Sequence, residues 1–201
     1  MRILIVIPII HTQQDMGSLL EQTRHTYIAR YGSDKWAEHL ESIDQVWRGI
    51  RQMLTALELP YISIRLYQDG LPLCGNEEDI VREIAARGSQ NHQLLLELIT
   101  QGARLMGTED PELLLEEYRL HKNVADNEHC ENPNEAQSQV VLTARDRYIA
   151  ARINSTLIAG EIGLLFLGMA HKIEPLLDSD ILVRYLLPSL LEKREKIQCQ
   201  A

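Results

Sequence analysis

Two uninterrupted apolar stretches predict strands that are buried on both faces. Residues 162–168 have the sequence IGLLFLG, without a charge, and His171 follows shortly after them. Residues 1–10 are equally apolar and rich in β-branched side chains, with Pro8 near the end. Continuous apolar runs of this length are typical of parallel strands in an α/β protein. Arg2 followed by this second run superficially resembles a signal peptide, but the short run and Pro8 favour a first strand.

A third segment, residues 61–67, alternates between apolar and polar positions and is rich in β-branched and aromatic residues. This pattern predicts a strand with one less apolar face, nearer the edge of the sheet. The turn Gln68-Asp69-Gly70 ends it. Elsewhere apolar residues recur at helical spacing. The predicted helices cover residues 15–31, 33–57, 77–86, 95–106, 112–122 and 138–159, and a last helix begins at Asp178 or Ser179 and is interrupted at Pro188.

Strands separated by long helices predict an α/β fold with a small, mainly parallel sheet flanked by many helices. At 201 residues the chain fits a single domain, residues 1–201, with a helical subdomain at 76–135. Residues 123–136 contain asparagines, acidic residues and a proline without apolar periodicity. They form either a mobile lid over a site or a surface linker without a role, and the pattern does not decide between the two.

Charge and composition narrow the classes of function. The chain has 29 acidic and 20 basic residues, which argues against a broad nucleic-acid-binding face. No apolar stretch approaches the roughly 20 residues that span a bilayer. Cys74, Cys130 and Cys199 lie far apart, so we expect no disulfide framework and a cytoplasmic protein. Neither a P-loop nor a G-x-G-x-x-G motif is present, which argues against the common nucleotide-binding sites.

Candidate chemistry lies at the ends of the three predicted strands. His11 follows the first strand, Asp69 the second and His171 the third. If the strands are parallel, the three side chains emerge at the same carboxyl edge of the sheet, where α/β proteins place their sites. Two imidazoles and a carboxylate suit a divalent metal such as Zn, Mn, Fe or Co, or a general acid and base in hydrolysis. The alternative is that each residue is an ordinary polar group at a strand end.

The helix before the third strand carries charge along its apolar stripe. Arg145 and Asp146 lie three and four residues after Leu142, on the side of the helix that we expect to be buried. Unpaired buried charges are costly. Either the two residues pair with groups inside the protein, or the stripe borders a polar cavity in which Arg145 holds an anionic group.

Three short motifs resemble the TraB/Tiki/ChaN/erythromycin-esterase-like superfamily. They are Gly168-Met-Ala-His171, the helical Ala144-Arg145-Asp146-Arg-Tyr-Ile149-Ala150, and Pro8-Ile-Ile-His11. The resemblance implies an α/β site with metal-dependent or His/Glu-based hydrolysis that involves His11, Arg145, Asp146, Gly168 and His171. This chain departs from the pattern at Ala144, where the family has a glutamate, and at Pro8, where it has a glycine. By position, Asp69 and Glu161 are the substitutes for the glutamate.

Three functions follow as hypotheses. The first is a metal-dependent hydrolase in which His11, Asp69 and His171 bind the metal or transfer protons and Arg145 binds an anionic substrate. The second is a non-catalytic module that binds or senses a small anion in the same pocket. The third is an interaction protein that forms an oligomer through the heptad-like stripe between Trp36 and Leu57, or through a C-terminal apolar face.

Overall fold

A five-stranded, all-parallel sheet forms the centre of the molecule. The computed structural model describes residues 1–9, 20–126 and 135–186, and within them the strand order is β3-β2-β4-β1-β5. The α/β prediction is thereby confirmed. The strands are β1 (Arg2–Pro8), β2 (Ile64–Gln68), β3 (Arg104–Met106), β4 (Ile162–Leu167) and β5 (Ile181–Tyr185).

Helices cover both faces of this sheet. They are α1 (Leu20–Tyr31), α2 (Ser33–Ala56), α3 (Glu77–Ala86), α4 (Gln90–Thr100), α5 (Pro111–Asp126) and α6 (Glu135–Thr156), with short 3₁₀ turns at Tyr61–Ser63 and Glu174–Leu176. The apolar stripes of α2 and α4 pack on one face, around Trp47 and Phe166. The stripe of α6 packs on the other face, where Ile149 and Ile153 contact the opposite side chains of β1 and β4. Each strand therefore needs apolar residues at successive positions, as the uninterrupted runs indicate.

The register brings the carboxyl ends of the central strands level with each other. Pro8 of β1 lies beside Leu167 of β4, and Gln68 of β2 lies beside Phe166. The backbone N–H of Asp69 continues this pairing and donates to the carbonyl of Phe166 at 2.9 Å. The residue after β2 and the residues after β4 consequently emerge side by side.

Two strands differ from the prediction. Residues 95–106 were expected to be a single helix, but α4 ends at Thr100 and a turn through Gly102, with φ at +109°, leads into β3. A helix was also expected after Asp178, whereas Ile181–Tyr185 forms β5 and pairs with β1. The prediction was wrong here because so short a strand has too few residues for periodicity to distinguish it from a helix.

Part of the segment proposed as a helical subdomain packs into the common core. From residues 76–135, β3 joins the sheet beside β2, and Leu94, Leu95 and Leu98 of α4 pack against the central strands. The predicted loop at 123–136 is helical as far as Asp126, and residues 127–134 lie outside the described part of the chain. In the three described ranges, no helix combines the length and apolar character that crossing a membrane requires.

Candidate functional site

The carboxyl edge of the sheet gathers a cluster of buried charged side chains. Asp69 follows β2 directly, Glu109 follows β3 by three residues, and His171 follows β4 by four residues. Arg145 and Asp146 of α6 reach the same place from above the sheet. The geometry of this cluster follows from the parallel strands, which all end at this edge.

The guanidinium of Arg145 donates hydrogen bonds to three carboxylates. Its Nε donates to Glu109 Oε2 at 2.5 Å, and one terminal nitrogen donates to both Glu109 Oε1 and Asp69 Oδ1 at 2.6 Å. The other terminal nitrogen donates to Glu117 Oε1 at 2.5 Å. The side chain of Arg145 is 6% exposed and that of Glu109 is 0% exposed. Arg145 and Asp69 are thus paired inside the protein, the first of the two arrangements expected for a charged residue on this stripe.

The imidazole of His171 lies between two carboxylates. Its Nδ1 is 2.6 Å from Asp146 Oδ1, whereas its Nε2 is 3.4 Å from Asp69 Oδ2. The other oxygen of Asp146 accepts the backbone N–H of Lys172 at 3.0 Å. This second bond holds the Asp146 carboxylate in place, so the ring of His171 has one orientation, with Nε2 directed at Asp69.

Gly168 supports Asp69 from the end of β4. Its backbone N–H donates to Asp69 Oδ2 at 2.9 Å. A Cβ atom at this position would lie 2.8 Å from the same oxygen, which is closer than van der Waals contact allows. Glycine is therefore required here because the backbone of the strand end must approach the carboxylate closely.

The pKa values of the cluster reflect burial and pairing. Burial by itself raises the pKa of Asp69, but His171 and Arg145 hold it well below its usual range. Burial also raises the pKa of Glu109, and Arg145 offsets this only partly. For His171, burial lowers the pKa, yet the carboxylates of Asp69 and Asp146 outweigh it, so the pKa lies above its ordinary value. The imidazole consequently takes up a proton more readily than an unperturbed histidine.

The cluster carries an excess of negative charge. The cluster contains three buried carboxylates: those of Asp69 and Glu109 pair with the guanidinium of Arg145, and that of Asp146 pairs with His171. Their side chains are between 0% and 11% exposed. Even when His171 is protonated, the negative charges outnumber the positive ones, and burying such an excess is unfavourable without a further cation or proton.

A cavity of about 790 Å³ lies beside His171. It is bounded by the carboxyl halves of β1, β4 and β5 and by residues 168–177. Lys172 and Glu174 contribute the charged side chains of its lining, and Glu174 accepts the hydroxyl of Tyr185 at 2.9 Å. The apolar lining residues include Val6, Leu167, Ile173, Leu177 and Val183.

Comparison with known proteins gives no match. No protein-family model, curated protein or solved structure matches this chain. The arrangement of the site is accordingly the basis for any statement about function.

The structure brings four of the five predicted site residues together: Asp69, Arg145, Asp146 and His171. The fifth, His11, lies outside the described residues. Glu161, suggested as a substitute for the glutamate missing at Ala144, instead pairs with Arg65 at 2.8 Å just before β4 begins. It lies at the amino end of that strand, far along the sheet from His171.

Sequence reasoning missed Glu109 and Glu117. Glu109 lies between the predicted helices at 95–106 and 112–122, where the sequence predicted only a connection. Glu109 could have been recognised only as a residue that follows a strand. The strand β3 has three residues, which are too few to show an alternating pattern. Glu117 lies among other charged residues on α5, and nothing in its local pattern distinguishes it.

The described residues contain two of the three predicted metal ligands. Across residues 1–9, 20–126 and 135–186, no three His, Cys, Asp or Glu side chains are grouped so as to hold a metal ion. Asp69 and His171 are the two predicted ligands that these ranges contain, and they face each other. Ligation by His11 stays a prediction from the sequence.

Proposed function

We propose that this protein is a metal-dependent hydrolase whose site lies at the carboxyl edge of the sheet, with Asp69 and His171 among the metal ligands. The observation that carries the proposal is the placement of His171 Nε2 at 3.4 Å from Asp69 Oδ2 while Nδ1 bonds to Asp146. The resemblance of Gly168-Met-Ala-His171 to a hydrolase superfamily supports the same class of reaction.

The spacing suits two ligands of one ion. Ligands bound at about 2.1 Å to a tetrahedral metal lie about 3.4 Å apart. The contact between His171 and Asp69 has this length, whereas the contact between His171 and Asp146 has the length of a strong hydrogen bond. Metal-bound histidines commonly donate their second ring N–H to a carboxylate, which fixes the tautomer and the ring orientation. Asp146 has this relation to His171.

The charge of the cluster also favours a bound cation. A divalent ion beside Asp69 and His171 would offset the excess of negative charge that Glu109 and Asp146 add to the cluster. A general-base histidine without a metal would instead need Nε2 open to water or substrate, and here that nitrogen faces a carboxylate. The metal-dependent version of the hydrolase therefore fits the geometry better than a metal-free acid–base pair.

Each residue of the site has a defined role in this proposal. Asp69 and His171 hold the ion, and His11 is the third ligand that the sequence predicts. A divalent ion bound there supplies a Lewis acid and lowers the pKa of a water molecule. Asp146 orients the imidazole, and Arg145 orients Asp69 by holding its second oxygen, Oδ1. Gly168 leaves the space that Asp69 needs.

The expected role of Arg145 in binding an anionic substrate has no support in the geometry. All three of its nitrogens donate to carboxylates, and the side chain is 6% exposed. The guanidinium is thus already neutralised before any substrate arrives. The alternative of a module that binds a small anion in the same pocket would have to use groups other than this guanidinium.

The proposal is tested by metal binding first and hydrolysis second. Metal-stripped protein is titrated with Zn²⁺, Mn²⁺ and Co²⁺ by calorimetry, and the loaded protein is assayed against a panel of carboxylic and phosphoric esters. His171→Ala and Asp69→Asn are expected to lower metal affinity by about 10- to 100-fold or more, and to abolish turnover. His25→Ala on α1 and Asp79→Asn on α3 are matched controls, since both side chains are exposed.

Two results would count against the proposal. Metal affinity that is equal in the wild type, His171→Ala and Asp69→Asn would remove these residues as ligands. Stoichiometric binding without hydrolysis of any ester in the panel would leave a metal-binding protein and refute the hydrolase.

A further inference from the structure

The cavity beside His171 points to the class of substrate. It borders the proposed site, because His171 and Gly168 are part of its lining. Its volume of about 790 Å³ lies within the range of small-molecule pockets in proteins. A substrate bound at the metal ligands would extend into this space.

The walls of the cavity are apolar where they meet the sheet. Val6, Leu167 and Val183 come from three adjacent strands, and Ile173 and Leu177 come from the segment that follows His171. Met169 is 49% exposed and also belongs to the lining. Unbranched methionine side chains adapt to ligands of different shape. These walls stabilise an apolar group by removing it from water.

The charges around the cavity do not favour an anion. Lys172 and Glu174 contribute opposite charges to the lining, and Glu174 also accepts a hydrogen bond from Tyr185. Behind His171 lie the carboxylates of Asp69 and Asp146, which together with Glu109 balance the charges of Arg145 and a bound divalent ion, so the cluster offers no net positive charge to an anionic group. A neutral ligand needs no such charge and loses little solvation when it enters an apolar space.

From these features we propose that the substrate is a neutral carboxylic ester with an apolar acyl chain, and that the chain lies in the cavity with its carbonyl group at His171. This inference rests on the proposed function. In the reaction, the oxygen of water bonds to the carbonyl carbon and the acyl–oxygen bond breaks. The alcohol leaves with one proton of the water. The remaining O–H of the water becomes the hydroxyl group of the carboxylic acid, which releases its proton to solvent.

Chain-length dependence tests the substrate class. The p-nitrophenyl esters of acetic, butyric and octanoic acid are compared as substrates of the metal-loaded protein. We expect kcat/KM to rise by about two- to fourfold for each added methylene until the cavity is filled. Val183→Phe, which fills the cavity from β5, should reduce the octanoate-to-acetate ratio by about tenfold or more. Val140→Phe is the matched control, because Val140 is 61% exposed on α6.

A binding measurement separates this inference from the hydrolase itself. The neutral apolar fluorophore N-phenyl-1-naphthylamine, which has no ester bond to hydrolyse, is titrated into the otherwise unmodified protein and into each of the two Phe variants. Saturable binding that Val183→Phe weakens by about tenfold, and Val140→Phe leaves unchanged, supports the apolar cavity even if no ester is hydrolysed. Binding that is insensitive to Val183→Phe, an absence of saturable binding, or hydrolysis without preference for octanoate overturns the inference.

Discussion

Removing Arg145 should destabilise the protein far more than removing an exposed arginine. Arg145→Met leaves the carboxylates of Glu109, Asp69 and Glu117 without their common partner, and Glu109 is 0% exposed. Breaking a buried ion pair from one side costs about 3–5 kcal/mol, because the remaining charge stays buried without compensation. The free energy of unfolding of a domain is only about 5–15 kcal/mol, so this single change would remove a large part of it.

The assay is urea unfolding at pH 7, followed by circular dichroism. Arg82→Met is the matched control, because Arg82 is 59% exposed and pairs with Glu78 and Asp79 on the surface, where such pairs contribute about 0–1 kcal/mol. Arg145→Lys keeps the charge and should lose less than Arg145→Met. The double variant Arg145→Met, Glu109→Gln should recover part of the loss, since it removes a charge that Arg145 no longer neutralises.

The pH dependence adds a second check on the same reasoning. Burial raises the pKa of Glu109, and without Arg145 this pKa should rise further. The deficit of Arg145→Met should therefore shrink between pH 7 and pH 5, as Glu109 takes up a proton. A deficit below about 1 kcal/mol at pH 7, similar to that of Arg82→Met, would refute the account of the network.

Three further predictions concern His171, Gly168 and the core. In metal-free protein the pKa of His171 is raised, so its stabilising contribution is complete below about pH 6.5 and is lost as the pH rises through the folded-state pKa. NMR titration should show that pKa falling in Asp146→Asn. Gly168→Ala should cost about 1–3 kcal/mol in urea unfolding because its Cβ meets a carboxylate at 2.8 Å, whereas Gly49→Ala, in open space on α2, should stabilise by about 0.5–1 kcal/mol. Trp47→Ala should cost about 3–5 kcal/mol in the same assay, since Trp47 is 2% exposed in the core.

Long, consistent patterns made the centre of the fold predictable. The apolar runs of β1 and β4 pack against helices on both faces, so apolar residues at successive positions all indicate a buried strand. His171 follows β4, and Asp69 follows the alternating strand β2 beside it, so their meeting depends only on the two strands being parallel and level. Arg145 and Asp146 were identifiable because charged residues on a buried stripe need partners.

The edges of the sheet were not predictable from local patterns. β3 has three residues and β5 has five, and both are partly exposed, so neither has a clear period. Their positions are set by pairing with β2 and β1, which is a contact between segments far apart in sequence. Glu109 was missed for this reason, since its place in the site depends entirely on where β3 ends.

The most direct measurement of the proposed metal site is anomalous diffraction from crystals soaked in Zn²⁺ or Mn²⁺. We predict a peak between His171 and Asp69, about 2.0–2.2 Å from both Nε2 and Oδ2, with Asp146 still bonded to Nδ1. Crystals that show no peak there at saturating metal would contradict the proposal.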